Sequence, residues 1–428
     1  MQPESPAPGQ DVGLGAGGQR LLYVRCARVL TCLPDWAPIE DAAVVVEGDR
    51  IAAVGAAREL AAPSGARVLE YPGATLLPGL VDGHVHLMYR TGESIFEHAR
   101  AFDDHALLVR SAYHARLLLK AGVTTVRDCG SRGTFLGALR DGIQEGFLQG
   151  PRILTCGPPI TSTAGHLWVC GAEADSAEEA RRLVRRLVKE GVDFIKVMAT
   201  GGRMTPGTNP GAPQFSVDEL RAMVDDAHRL GRRVAAHCLG TAGIAAAVEA
   251  GVDTVEHGNF LDATGDGTAF DEEVARQMAA RGIYRNMATV PDRELAELPL
   301  DATLTQGQQL RLEAAQERWR WFRRGMELGV PSFFSTDSIF GQWPDSCPDL
   351  PWLAVLVGER GGVPAAEVLR MVTAIPAGAI GLADEIGTVA PGRKADLLLV
   401  QGNPLDSLRV LLDVAAVIKD GRLHGLTH

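Results

Sequence analysis

The chain carries the run Gly79-Leu80-Val81-Asp82-Gly83-His84-Val85-His86, and much of its architecture follows from what that run requires. It ends an apolar stretch, Ala74 to Leu80, whose pattern predicts one buried β-strand. Residues two apart on a strand face the same way, so His84 and His86 aim both imidazoles at one point. Paired imidazoles at this spacing suit zinc, iron or nickel. Two histidines cannot hold a catalytic metal alone, so further ligands must come from elsewhere in the chain.

Downstream, from about Thr75 to Ala383, strand-like apolar runs alternate with helical segments. Strands are expected at Val123–Asp128, Arg152–Cys156, Val192–Met198, Val234–His237, Val252–His257, Ile283–Asn286 and Val330–Asp337. Helices are expected over Ala106–Ala121, Phe135–Gln149, Ala177–Glu190, Thr241–Ala250, Glu272–Arg281 and Gln308–Leu328, with a further one opened by an N-cap Ser216. Glycine closes these helices at Gly122, Gly191, Gly231, Gly251, Gly282 and Gly329. With the His84 strand and a last helical region over Leu350–Leu382, the pattern predicts an α/β fold, a (β/α)8 TIM barrel. The competing open doubly wound sheet lacks its glycine-rich phosphate fingerprint at the first turn.

Short strands are also expected at Leu21–Arg25, Ala42–Glu47 and Ile51–Val54, with Gly48-Asp49-Arg50 signalling a hairpin. Lys394–Val400 and Val414–Arg422 read as strands again. Residues 20–74 plus 384–428 are therefore expected to form one small β-domain, a β-sandwich made by both chain ends, around a barrel of residues 75–383. Residues 1–19, rich in Gly, Pro and Gln, are expected to be a disordered tail.

At 428 residues and 46% hydrophobic the chain can bury a large core. Its net charge of −11 is spread among interspersed acids and bases, with no basic run, which argues against a nucleic-acid partner. Seven scattered cysteines, an odd number with no CxxC pair, fit reduced thiols in a cytoplasmic enzyme. No apolar run reaches membrane-spanning length, and the first residues lack a secretory signal.

Barrel active sites lie at the carboxyl ends of the strands. The polar residues there are His84, His86, Lys196, His237, His257 and Asp337. Five are ordinary metal ligands. Lysine becomes one only as the carbamate formed with carbon dioxide. Bland readings stand beside each: a satisfied core histidine, a buried lysine paired with an acid, an aspartate capping a helix. His166 falls in a long loop after the third strand, where substrate contact or oxyanion stabilisation competes with a plain loop role.

Taken together, Leu77–His86, Phe194–Gly202, Ala236-His237, Glu256-His257-Gly258, Ser335-Thr336-Asp337 and Gly387–Leu397 resemble the amidohydrolase superfamily in its binuclear form. Within it the chain resembles the imidazolonepropionase-like and Xaa-Pro or Xaa-Arg dipeptidase branch. The resemblance implies two divalent metals, zinc being expected. His84, His86 and Asp337 would hold one, His237 and His257 the other, with carbamylated Lys196 bridging. It implies hydrolysis of an amide C–N bond by a hydroxide held between the metals, with Asp337 moving the proton. Deaminases of the superfamily carry a glutamate three residues after the fifth-strand histidine; here His237 is followed by Cys238-Leu239-Gly240. Ureas, carbamates, lactones and organophosphate esters are alternative substrates of the same centre. A non-catalytic binding barrel is the reading from another class, and the six retained ligands oppose it.

Substrate choice belongs to the strand-to-helix loops, long here at Gly157–Ser176, Thr200–Phe215 and Ser338–Pro351. The first carries Trp168 with His166, and the third carries Trp343 and Asp345. Arg203, in the second, has the fork that matches a carboxylate. Tyr89 and Arg90 follow the paired histidines and are candidate substrate contacts. A dipeptide or N-acyl amino acid is the expected substrate, although the apolar Ser338–Trp343 stretch suits it poorly. The branch resemblance carries an expectation of homo-oligomers.

Overall fold

A computed structural model of the chain describes residues 20–90, 95–340 and 349–425. The tail of residues 1–19, Trp343 and Asp345 lie outside the described residues. The chain divides into two compact units. One runs to Val81 and takes in Arg116–Thr125 and everything from Leu350 onward; the other holds Asp82–Ala115 and Val126–Asp349.

The first unit begins with β1 (Leu21–Val29), β2 (Ile39–Glu47), β3 (Arg50–Ala56) and β4 (Arg67–Pro78). β2 and β3 form a hairpin in which Glu47 faces Arg50 across Gly48-Asp49. Gly48 holds φ +63°, the left-handed backbone that a two-residue hairpin turn demands.

The apolar stretch Ala74–Leu80 is not one strand leading into His84. β4 ends at Pro78, and both histidines sit in a separate strand, β5 (Leu80–Arg90). Proline has no N–H for the ladder. At Gly79 a Cβ would fall 2.2 Å from Thr124 Oγ1, so only glycine fits the break.

The strands that follow are β6 (Val123–Asp128), β7 (Arg152–Thr155), β8 (Ile195–Met198), β9 (Val234–Gly240), β10 (Thr254–Leu261), β11 (Tyr284–Ala288), β12 (Ser332–Ser335) and β13 (Ser338–Phe340). They order as β13-β5-β6-β7 and β12-β11-β10-β9-β8. β8 through β12 pair in parallel, as does β13 with β5. All six glycines expected to close helices have φ between +66° and +88°.

Alternation along these strands sorts apolar from polar. Ile195, Val197, Val234, Ala236, Cys238 and Val255 join one core cluster with Val184, Leu187 and Met223 of the covering helices. The helix Ala177–Lys189 supplies Ala180, Val184 and Leu187 at one-turn spacing, and Ser176 caps it by accepting from the Glu179 N–H. Ser216 and Glu219 form a capping box at the head of Val217–Arg229. Each cap is worth about 1 kcal/mol. With Ile195, Val197, Ala236 and Val255 committed to the helices, strand period two turns Lys196, His237 and Glu256 to the opposite face.

The chain returns through β14 (Leu397–Gln401), β15 (Val414–Lys419) and β16 (Arg422–His424). β14 pairs antiparallel with β4, so both chain ends share one seven-stranded sheet, ordered β16-β15-β14-β4-β1-β2-β3. No helix among the described residues is long and apolar enough to cross a membrane. The six cysteines among them are free and buried.

Candidate metal centre

Nine of the candidate residues read from the sequence line one cavity of about 170 Å³: His84, His86, Tyr89, His166, Lys196, Arg203, His237, His257 and Asp337; the Arg90 side chain lies outside what the structure describes. His84 and His86 arrive from β5, Lys196 from β8, His237 from β9 and His257 from β10. Asp337 lies between β12 and β13, its side chain 23% exposed. The ring centroids of His84 and His86 are 5.4 Å apart, those of His84 and His257 5.1 Å, and those of His237 and His257 4.7 Å.

Period two alone does not bring His257 into this group. Val255 packs with the helices, so a regular strand would send His257 the same way. Instead His257 holds φ +65° and Gly258 φ +56°, and the strand end swings inward. Asp337 is likewise left-handed at φ +49°. Non-glycine residues in that region carry strain that the surrounding structure must hold.

Each imidazole has one nitrogen committed to an acceptor. His84 Nδ1 lies 2.8 Å from Glu256 Oε2, His86 Nδ1 3.2 Å from the Gly130 carbonyl, and His257 Nδ1 3.0 Å from the Ala288 carbonyl. His237 is reversed, with Nε2 3.2 Å from the Gly201 carbonyl. An acceptor at one nitrogen places the proton there and leaves a lone pair on the other. Three histidines therefore offer Nε2 and one offers Nδ1.

Those lone pairs need a cation. His84 Nε2 and His86 Nε2 each lie 3.4 Å from Asp337 Oδ1, longer than a good hydrogen bond. The three donor atoms sit within 4.8 Å of one another, a spacing that a single divalent ion would span. The donor set fits a metal.

Electrostatics favour the neutral form for three of the four imidazoles. Burial, then the Lys196 charge, pushes His84 down to about 3. Burial, then His166, holds His237 well below the usual imidazole range. Burial also lowers His257. Neutral imidazole is the form that binds metal. On Asp337 burial favours the acid, but His86, His84 and His257 outweigh it and keep the carboxylate ionised. Burial lowers His86 too, and the Asp337 contact outweighs that and raises it.

Lys196 is 1% exposed, with Nζ 3.4 Å from His84 Nε2. No carboxylate among the described residues is within 4.0 Å of it, which removes the reading of a lysine paired with an acid. His166 is buried, its ring 4.6 Å from that of His237 and its Nδ1 2.8 Å from Thr205 Oγ1. The Tyr89 hydroxyl is engaged with Cys170 Sγ at 3.2 Å, so Tyr89 offers the cavity its ring. Arg203 donates to the Gly265 carbonyl at 2.7 Å and has no acid within ion-pair range among the described residues.

Residues not singled out from the sequence hold this set in place. Glu256 is fully buried behind His84. Asp128 accepts from the Leu87 N–H at 2.7 Å and fixes the backbone beside His86, while burial pushes its carboxyl up to about 6. Asp82 accepts from Thr336 Oγ1 at 2.7 Å, one residue before Asp337, and burial pushes it up to about 7. Their only sequence signal is a charged residue inside or ending an apolar run, as in Val126-Arg127-Asp128 and Val255-Glu256.

Four imidazoles, an ionised carboxylate and a lysine with no ion-pair partner among the described residues gather at strand ends, a donor set of the class that metal-dependent hydrolases use. The chain belongs to the amidohydrolase family, which it matches over residues 75–424. It is 30% identical to ochratoxinase of Aspergillus niger over 434 residues, covering 91% of this chain and 84% of that protein. The crystal structure of that ochratoxinase superposes with a TM-score of 0.79, at 27% identity over 95% of this chain and 96% of the other. Imidazolonepropionase of Anaeromyxobacter sp. (strain K) is 30% identical over 444 residues, 94% of this chain and 95% of that protein. A Xaa-Pro dipeptidase with methionine bound in its active site superposes with a TM-score of 0.78, at 27% identity over 95% of this chain and all of the other.

Proposed function

We propose that this protein hydrolyses a C–N bond of a small molecule bearing a carboxylate, a dipeptide or an N-acyl amino acid, at a centre of two divalent ions. The observation that carries the reading is the convergence of His84 Nε2, His86 Nε2 and Asp337 Oδ1 on the cavity that Arg203 also borders. His84, His86 and Asp337 would hold one ion, His237 and His257 the other, and Lys196 as its carbamate would bridge them. Bound zinc would supply a Lewis acid and lower the pKa of water. A desolvated lysine cation without a paired acid costs several kcal/mol. Conversion to the carbamate exchanges that cation for an anion among metal ligands, which supports the modified form.

The chain's own groups then have distinct tasks. Asp337, ionised and open to the cavity, accepts a proton and hands it to the leaving amine. Thr205 Oγ1 accepts from the Leu167 N–H and keeps one hydrogen to give; given to His166 Nδ1, it would leave His166 Nε2–H as a donor toward the reacting carbonyl oxygen. The Arg203 guanidinium, without an acid in ion-pair range among the described residues, takes the substrate carboxylate. A relative with methionine in its active site supports an amino-acid-like product. The second reading, a urea, carbamate, lactone or organophosphate ester, draws on the apolar walls Ile95, Leu167, Met198 and Leu239.

The two parallel strand arrays are inferred to close into a (β/α)8 barrel. A parallel bridge between Ile160 and Val197 and the Asp337 N–H to His84 carbonyl bond of 3.0 Å support closure at the two gaps. The terminal sheet is inferred to fold as a β-sandwich, since Val24 and Val44 share an apolar cluster with Leu397 and Ile418. Domain limits at 20–74 plus 384–428 and at 75–383 are retained in this reading, and the free buried thiols fit a reducing compartment, the cytoplasm.

The test screens zinc-loaded protein on dipeptides and N-acyl amino acids against aryl-urea and carbamate panels. Turnover of the carboxylate-bearing panel is expected, with Arg203→Ala lowering its kcat/KM at least 10-fold. If Arg203→Ala leaves those substrates untouched, the carboxylate clamp is wrong.

A further inference from the structure

Behind the ligand atoms lies a buried carboxylate that accepts four hydrogen bonds. Glu256 Oε1 receives Arg127 Nη2 at 2.5 Å and Thr254 Oγ1 at 2.6 Å. Glu256 Oε2 receives Asn286 Nδ2 at 2.7 Å and faces His84 Nδ1 at 2.8 Å. Arg127 is itself buried and anchored, with Nε donating to the Gly83 carbonyl at 2.7 Å and Nη1 to Thr254 Oγ1 at 3.2 Å. We propose that Glu256, oriented by Arg127, is the positioning residue that locks His84 into the tautomer presenting its Nε2 lone pair to the metal centre.

The inference rests on the proposed metal centre and adds a specific cause for it. An ionised carboxylate only accepts, so His84 Nδ1 must donate, and its Nε2 is left bare. Arg127 cannot reverse its polarity either, since every guanidinium nitrogen is a donor. The chain of constraints therefore runs one way, from Arg127 through Glu256 to His84.

Glu256→Gln exposes the logic because it keeps shape and loses symmetry. The glutamine oxygen must face Arg127, because an amide N–H₂ there would set donor against donor. Its N–H₂ then faces His84 Nδ1 and Asn286. Asn286 can adapt by rotating its amide, whose Oδ1 is buried without a partner in the native arrangement. His84 can adapt only by accepting at Nδ1, which moves its proton to Nε2 and aims it into the ligand position. Asn286→Ala, by contrast, removes one donor and leaves the lock intact.

Zinc binding is measured by competition with a chromophoric chelator, on protein first stripped of metal. The expected result is a 10- to 100-fold weaker affinity at the His84 site for Glu256→Gln, and a change under threefold for Asn286→Ala. Nitrogen-15 NMR of the stripped wild type should show His84 protonated at Nδ1 and bare at Nε2, a readout that needs no variant to fold. A proton on Nε2 in wild type overturns the proposal, as does Glu256→Gln within twofold of wild type, or equal losses in the two variants. A wild type that takes up no zinc overturns the metal-centre reading and this proposal together; one that loads zinc while Glu256→Gln loads equally overturns only the role of Glu256.

Discussion

A single methyl group at Gly202 is expected to disable the site without touching a ligand. A Cβ there would lie 2.4 Å from His166 Cε1 and 2.5 Å from each ring nitrogen. Comfortable non-bonded contact begins at about 3.5 Å, so the ring must retreat by roughly 1 Å. It has little freedom to do so: its backbone N–H donates to Gln214 Oε1 at 2.6 Å, and Leu167 beside it is held at φ +57°. Overpacking of this kind costs roughly 1–3 kcal/mol, and loss of the Thr205 contact roughly 0.5–1.5 kcal/mol more. Displacing a positioning group by about 1 Å costs on the order of 100-fold in rate. Gly202→Ala should therefore lower kcat/KM about 100-fold while zinc content stays at the wild-type level. Steady-state kinetics on the best substrate of the screen, with metal analysis of the same sample, checks this. His166→Ala restores the space, so Gly202→Ala in that background should add no further loss. A folded Gly202→Ala protein within threefold of wild type would refute the placement of His166 against the substrate.

Two further outcomes can be checked directly. Lys196→Ala should bind no more than one zinc per chain where wild type is expected to bind two, read by plasma emission on dialysed protein; two equivalents in the variant would remove Lys196 from the centre. His424 is pushed down to about 4 by burial, then by Lys419 and Arg422, so the unfolded chain takes up its proton near pH 6.5 before the folded chain can. Stability should fall as pH drops from 6.5 toward 4, and His424→Gln should flatten that part of the Tm–pH curve; parallel curves for the two proteins would refute it.

Period-two and helical patterning made the alternation of strands and helices readable, because each element commits one face to a core. The helices Thr241–Ala250 and Glu272–Arg281 lie where the glycine stops and apolar spacing put them. The break at Pro78-Gly79 was masked by apolar residues on both sides: hydrophobicity marks burial and does not say in which sheet. The cavity residues that terminate strands, here proposed as ligands, were legible as polar residues ending apolar runs. Glu256 was not, since a carboxylate next to a histidine looks like part of the same motif until His257 is seen to leave the strand register. Arg127 was hidden for a related reason: its partners lie more than 40 residues away in sequence, and no local spacing encodes them.

The proposed ligand atoms come from five separate places between His84 and Asp337, so no short fragment contains the proposed site. Contacts of such long sequence separation form late, after most chain entropy has already been lost. Metal uptake should thus report the finished fold rather than nucleate it, unlike a small zinc finger whose ligands are neighbours in sequence. During synthesis the chain must emerge at least as far as Asp337 before an ion held as proposed by His84 and His86 could gain its carboxylate. Zinc occupancy then becomes a gauge of correct folding, suited to sorting variants that lost their chemistry from variants that lost their shape.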